Sequence, residues 1–197
     1  MKCLALLLLM LLPLSAAEKL PSYKQLSALT NPQKLAGLKP GNRSGNARFK
    51  KLMYWINQYE QQGTQPKEFL AKLYSEHSGT KSYQSTRHVY APATEKLNLE
   101  AQYRLGRAYG LYTDDNLLKL RKGNAAIVTQ GQYQGEKIEI DHLIPYSKAP
   151  ELENSMANLT WLPRTLNRSK SAKVTNAALR RAKALQLEVG WVWNPHS

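Results

Sequence analysis

Asp141 and His142 stand side by side in the run Glu139-Ile140-Asp141-His142-Leu143-Ile144-Pro145. Asn158 follows in Ala157-Asn158-Leu159-Thr160-Trp161-Leu162, then Asn167, Arg168 and Lys170 in Leu166-Asn167-Arg168-Ser169-Lys170-Ser171. These residue types suit hydrolysis of a phosphodiester. Water must lose a proton near neutral pH, and histidine is the side chain best suited to take it. The phosphate gains charge in the transition state, which a divalent cation neutralises efficiently. A hard cation such as magnesium needs only one or two protein oxygens, the rest coming from water and substrate. Asp141 and Asn167 offer such oxygens, and Arg168 and Lys170 lie close enough to Asn167 to meet neighbouring phosphates.

The elements that must position these groups are legible around them. Lys137-Ile138-Glu139-Ile140-Asp141 alternates polar and apolar, as a half-buried strand does. Leu159 to Pro163 is a second short strand candidate. Consecutive strand residues face opposite sides, so Asp141 and His142 can serve one centre only where the strand ends or bends. Pro145 just beyond is consistent with that, because proline cannot continue a central strand. Taken singly, His142 reads as a core or capping histidine, and Asn158 and Asn167 as turn or N-cap residues. Their company reverses that reading. A helix start at Asn167 would add a site that favours anions.

With these motifs together, residues 125–175 resemble the HNH (ββα-metal finger) endonucleases, whose pattern is an Asp-His pair closing one strand, an Asn in the loop, a second strand and an Asn or His on the following helix. The resemblance implies His142 as general base, Asp141 and Asn167 as ligands of a divalent ion (Mg2+ foremost), and Asn158 holding the His142 loop. It also implies products with 5′-phosphate and 3′-hydroxyl ends. Asn at the final position is a variant the family shows. No Cys-X-X-Cys pair accompanies the motif, so a zinc-stapled subtype is excluded. The resemblance says nothing about residues 18–124.

Before the motif the sequence is mostly helical. Helical spacing predicts helices over 47–62, 66–77, 93–109 and 114–122, and a basic helix over 175–188 closes the chain. Residues 80–92 are polar without a period, and Ala125 to Thr129 is a short β-type run. Phe49, Tyr54, Trp55 and Tyr59 are expected in the core, and Trp191 and Trp193 in packing; His77, His88 and His196 are expected in solvent. Arg180, Arg181 and Lys183 are either a solvated face or a contact to DNA backbone. The order, helices before a β-hairpin and a further helix, predicts an α+β fold.

Composition bounds the function. The chain has 197 residues, 28 Lys+Arg against 14 Asp+Glu and a net charge of +14. At 42% hydrophobic and 21% charged it is neither a disordered polyelectrolyte nor a multi-span membrane protein. Such a surplus points to a polyanionic partner. Lys2, the apolar run Leu4 to Leu12 and the small residues Ser15 and Ala17 fit a secretory signal peptide cleaved after Ala17. Cleavage removes Cys3, the only cysteine, leaving no thiolate for metal, disulfide or catalysis. Of the sequons at Asn42, Asn158 and Asn167, two fall inside the motif, where a glycan would block it. Bacterial export, to the periplasm or outside the cell, is the consistent route.

The expected organisation is a signal peptide over 1–17, a flexible basic arm over 18–46, a helical segment over 47–124 and an HNH finger with its C-terminal helix over 125–197. The expected function is that of an exported, metal-dependent endonuclease of low sequence specificity. Nucleic acid is its partner, DNA favoured over RNA, with no stable membrane insertion after signal removal and an inhibitor protein as a candidate second partner. The alternative is a non-catalytic cationic protein that binds nucleic acid or the cell envelope.

Overall fold

Phe49, Leu52, Met53, Ile56 and Tyr59 recur at helical spacing, and all are buried on one side of helix α3 (Ser44–Gln61). Around it pack α4 (Pro66–Ser75), α5 (Pro92–Ala108) and α6 (Asp114–Arg121). The C-terminal part adds strands β3 (Ile138–His142) and β4 (Leu159–Pro163), then α7 (Arg164–Lys170) and α8 (Asn176–Val189). The fold is α+β, as the order of elements predicts. The computed structural model describes residues 19–39, 41, 44–85 and 88–194. The expected signal peptide, the Asn42 sequon and His196 lie outside the described residues. Among the described residues no helix is long and apolar enough to cross a membrane.

Three stretches differ from their expected character. The breaker-rich segment before residue 46 holds two short helices, α1 (Tyr23–Leu26) and α2 (Pro32–Ala36). Ser22 closes a capping box on the first, and the Asn31 side chain caps the second. Both are shorter than isolated helices tolerate; they form because Leu26 and Leu35 are buried in the main core. The aperiodic residues 80–92 contain a hairpin of β1 (Tyr83–Gln84) and β2 (Val89–Tyr90), whose strands are too short to show a period. The run Ala125 to Thr129 forms only a single bridge, Ile127 with Lys137. The N–H and C=O of Ile127 that face away from Lys137 are taken by the Asn116 side chain (2.9 and 2.8 Å), so no further strand can add on that edge.

Two histidines expected in solvent are buried. His77 bonds Thr30 Oγ1 through Nε2 at 3.0 Å. His88 is fully buried with neither ring nitrogen hydrogen-bonded, and burial holds its pKa down to about 4. Phe49, Tyr54 and Tyr59 are buried as expected, with Trp55 packed at the core's margin.

The helices hold the hairpin by a few specific contacts. Trp161 of β4 is fully buried and meets Phe49 edge-on at 5.1 Å. From α5, Gln102 Oε1 accepts from the N–H of Trp161 (3.0 Å), and Asn98 Nδ2 donates to the carbonyls of Met156 and Leu159. Arg181 of α8 turns inward to Asn98 Oδ1 at 2.8 Å, while Arg180 and Lys183 are exposed. A second, smaller core joins Ile144, Leu152 and Ala157 of the β3–β4 connection to Ala178 and Leu185 of α8 and to Trp191, which stacks on Trp193.

Glu95 is fully buried; the Tyr74 hydroxyl donates to Oε2 at 2.7 Å, Oε1 has no hydrogen-bond partner, and burial pushes its pKa up to about 8. The folded chain therefore keeps a proton that the unfolded chain has released, and stability falls as pH rises from the ordinary glutamate range to about 8. His88 acts in the opposite sense, losing stability as pH falls from its ordinary value toward about 4. The two oppose each other below pH ~6.5, leaving Glu95 to act alone above it. Thermal melts should show stability declining between pH 6.5 and 8, by up to ~1.4 kcal/mol per unit. Glu95→Gln should flatten that slope, and an unchanged slope would place the titration elsewhere.

Candidate active site

β3 and β4 pair antiparallel, with Asp141 opposite Thr160 and His142 opposite Leu159. β3 stops at His142 and the chain bends through Leu143 and Ile144, as the Asp-His adjacency requires. Asn158 fixes the bend. Its Oδ1 accepts from the N–H of Ile144 at 2.8 Å, its Nδ2 donates to the carbonyl of Ile144 at 3.0 Å, and its own carbonyl accepts from Leu143 at 2.8 Å. Asn158 is fully buried, so it holds the loop and does not border the cleft described below.

His142 Nε2 lies 3.0 Å from the carbonyl oxygen of Glu153. A carbonyl only accepts, so Nε2 carries the proton and Nδ1 keeps the lone pair that a base needs.

β4 runs into α7 without a loop, which places Asn167 inside the helix and not at its N-terminus as expected. There Asn167 Nδ2 donates to Glu139 Oε2 at 2.7 Å, and Arg164 Nε approaches Glu139 Oε1 at 3.3 Å. The Asn167 hydrogen bond first, and Arg164 second, hold the Glu139 carboxyl below its ordinary pKa. Lys170 Nζ forms an ion pair with Asp141 Oδ2 at 2.7 Å and donates to the His142 carbonyl at 2.8 Å. Asp141 and Asn167, expected to share one cation, thus have different partners, Lys170 and Glu139. Arg168 is exposed.

A cleft of about 810 Å³ opens above β3, with Glu139, Ile140 and His142 on its floor and Arg164 and Asn167 on one side. Asp141, Arg168 and Lys170 lie outside its lining. Glu139 is the site residue that role assignment from sequence missed. The signal was there: it stands two residues before Asp141 in an alternating strand, hence on the same face.

Residues 128–175 match the family model of the HNH endonucleases. The match covers about a quarter of the chain and takes in β3, β4 and α7. No curated protein and no solved structure matches the chain. Residues 128–175 are thus similar to nucleases, hydrolases of phosphodiester bonds in nucleic acid.

HNH nucleases generally use a divalent metal ion. Among the described residues no cluster of three or more His, Cys, Asp or Glu is present. The hard oxygens that could take a cation are those of the Asp141 carboxylate, whose buried Oδ2 is paired with the Lys170 ammonium, and of the Asn167 amide. Because Glu139 can only accept, it binds the nitrogen of Asn167 and leaves Oδ1 as that amide's free end.

Asn158→Ala should strand the buried N–H and C=O of Ile144. At ~1–3 kcal/mol for each of the two unsatisfied groups, urea unfolding should show a loss of about 2–6 kcal/mol. A loss below about 1 kcal/mol would mean that the bend is held by other contacts.

Proposed function

We propose that this chain is an exported, metal-dependent endonuclease that cleaves DNA with low sequence specificity. The observation that carries the reading is His142, whose Nε2 is committed to the Glu153 carbonyl, leaving Nδ1 as the base, and which lines the same cleft as the bonded pair Glu139 and Asn167. Asp141 and Asn167 would hold a magnesium ion, with Glu139 orienting Asn167. The ion would supply charge neutralisation at the phosphate. His142 Nδ1 takes the proton of the attacking water. The new P–O bond forms as the bond to the 3′ oxygen breaks, and that oxygen takes a proton from solvent water, giving 5′-phosphate and 3′-hydroxyl ends.

Arg164 on the cleft side is better placed than Arg168 to meet a phosphate, and Lys170 reaches the site through Asp141 and the His142 carbonyl. The +14 charge supplies salt-sensitive attraction to the nucleic-acid backbone. That attraction carries no sequence information, which supports low specificity. The apolar run and small residues before Glu18 support export. An inhibitor protein would protect a host from such an activity.

Nicking of supercoiled plasmid tests the reading. Cleavage should require magnesium and stop with EDTA. His142→Ala should slow it by about 100- to 10,000-fold, the range for a lost general base. Asn167→Ala should reduce it steeply with an unchanged circular dichroism spectrum. Plasmid retention without cleavage, equal in wild type and His142→Ala and independent of metal, would replace the nuclease with a cationic binding protein.

A further inference from the structure

The cleft has a second wall, which lies outside the HNH match. It is formed by Asn46 and Lys50 of α3 and by Asn124, facing Arg164 and Asn167 of α7 across the floor of β3. The wall is fastened to the finger. A Cβ at Gly45 would fall 2.5 Å from Asn154 Oδ1 and 3.5 Å from Asn154 Cα, so α3 packs closely against the loop there. The N–H of Gly41 donates to Glu153 Oε1 at 2.9 Å, and Glu153 is the residue whose carbonyl holds His142. The helical part and the catalytic histidine are thus referenced to the same short stretch of chain.

Tyr146 also borders the cleft. It is 42% exposed, and its ring centroid lies 6.4 Å from that of His142. An aromatic face beside a groove carrying cations is how proteins hold single strands without reading their sequence. Lys50, Lys137 and Arg164 supply the cations here. The volume, about 810 Å³, falls within the ~300–1,000 Å³ of sites that enclose a single small ligand. That volume accommodates a short stretch of one strand, and α3 adds a wall to the cleft that the HNH match does not include.

We propose that this cleft is a single-stranded DNA site, in which a base stacks on Tyr146 beside His142 and Lys50 meets a flanking phosphate. The proposal rests on the nuclease reading for cleavage and stands apart from it for binding. Tyr146 and Lys50 position the strand and take no part in proton transfer.

The experiment uses the full chain with a fluorescent single-stranded oligodeoxynucleotide and the same strand annealed to its complement. The single strand should be cut with a kcat/KM at least about 10-fold above the duplex. Tyr146→Ala should raise KM on the single strand about 10-fold, within the range measured for a lost stacking contact, and leave kcat within about 2-fold. Tyr146→Phe should restore the wild-type KM. Lys50→Ala should weaken binding and lower the salt slope by about one phosphate contact. Equal cleavage of both forms, or an unchanged KM in Tyr146→Ala, would overturn the proposal. If wild type cuts neither form, the nuclease reading fails by itself. Fluorescence anisotropy of the single strand then decides this one: about 10-fold weaker binding by Tyr146→Ala upholds it, and equal binding overturns it.

Discussion

The turn after His142 buries a peptide unit that neither strand can satisfy, and the fold answers with one side chain. Ile144 is fully buried, and its N–H and C=O are both taken by Asn158 from within the same loop. A buried backbone group without a partner costs as much as a lost hydrogen bond or more, so this turn cannot exist in its present place without that amide. Much of the site follows from it. The bend takes Leu143 and Ile144 off the strand line, Ile144 enters the smaller core against α8, and His142 is left at the strand end with its ring reaching Glu153. Asn116 performs the same service for Ile127, again with both amide atoms on one residue's backbone. In both places a side-chain amide stands in for a missing neighbouring strand.

A two-stranded hairpin is marginal in water by itself. Here its outer neighbour is a helix. Gln102 and Asn98 of α5 bond the backbone of β4 and the residues just before it, and Trp161 inserts its indole into the main core beside Phe49. The helical residues that show no motif are therefore what makes a rigid platform of a hairpin that carries one. They contribute buried amides as well as apolar surface, and buried amides demand a particular register where apolar contacts tolerate several.

The hairpin and its chemistry were legible because each depends on local order. Alternation marked β3, the Pro145 break marked the bend, and residues at fixed spacing marked the site. Helices α3 to α6 and α8 were legible from apolar spacing to within a few residues. The remainder depends on contacts between distant residues. Whether His88 is solvated turns on what covers it, and its polar neighbours in sequence gave no sign of burial. Breakers placed Pro21, Pro32 and Gly41 in an arm, yet Leu26 and Leu35 find the core only because the surface of α3 and α4 is there to receive them. Glu139 was visible as a strand residue, but its role depends on Asn167 arriving from α7, which no local pattern states.

Helix α7 is held differently from the longer helices. The helix has seven residues, none of them buried, and so contributes nothing to either core. What fastens it is a ladder of polar contacts to successive residues before and along β3. The N–H of Arg164 donates to the carbonyl of Lys137, the N–H of Thr165 to Glu136 Oε2, Asn167 to Glu139, and Lys170 to the carbonyl of His142 beside its ion pair with Asp141. The Thr165 contact is exposed and contributes on the order of 1 kcal/mol or less, whereas those of Asn167 and Lys170 are partly buried. The same contacts fix where Asn167 and Lys170 stand relative to His142, and displacement of a reacting group by about 1 Å costs catalysis roughly 100-fold. With no buried residue of its own, α7 takes its position from directional polar bonds to β3, so the placement of Asn167 and Lys170 depends on the geometry of a few named side chains.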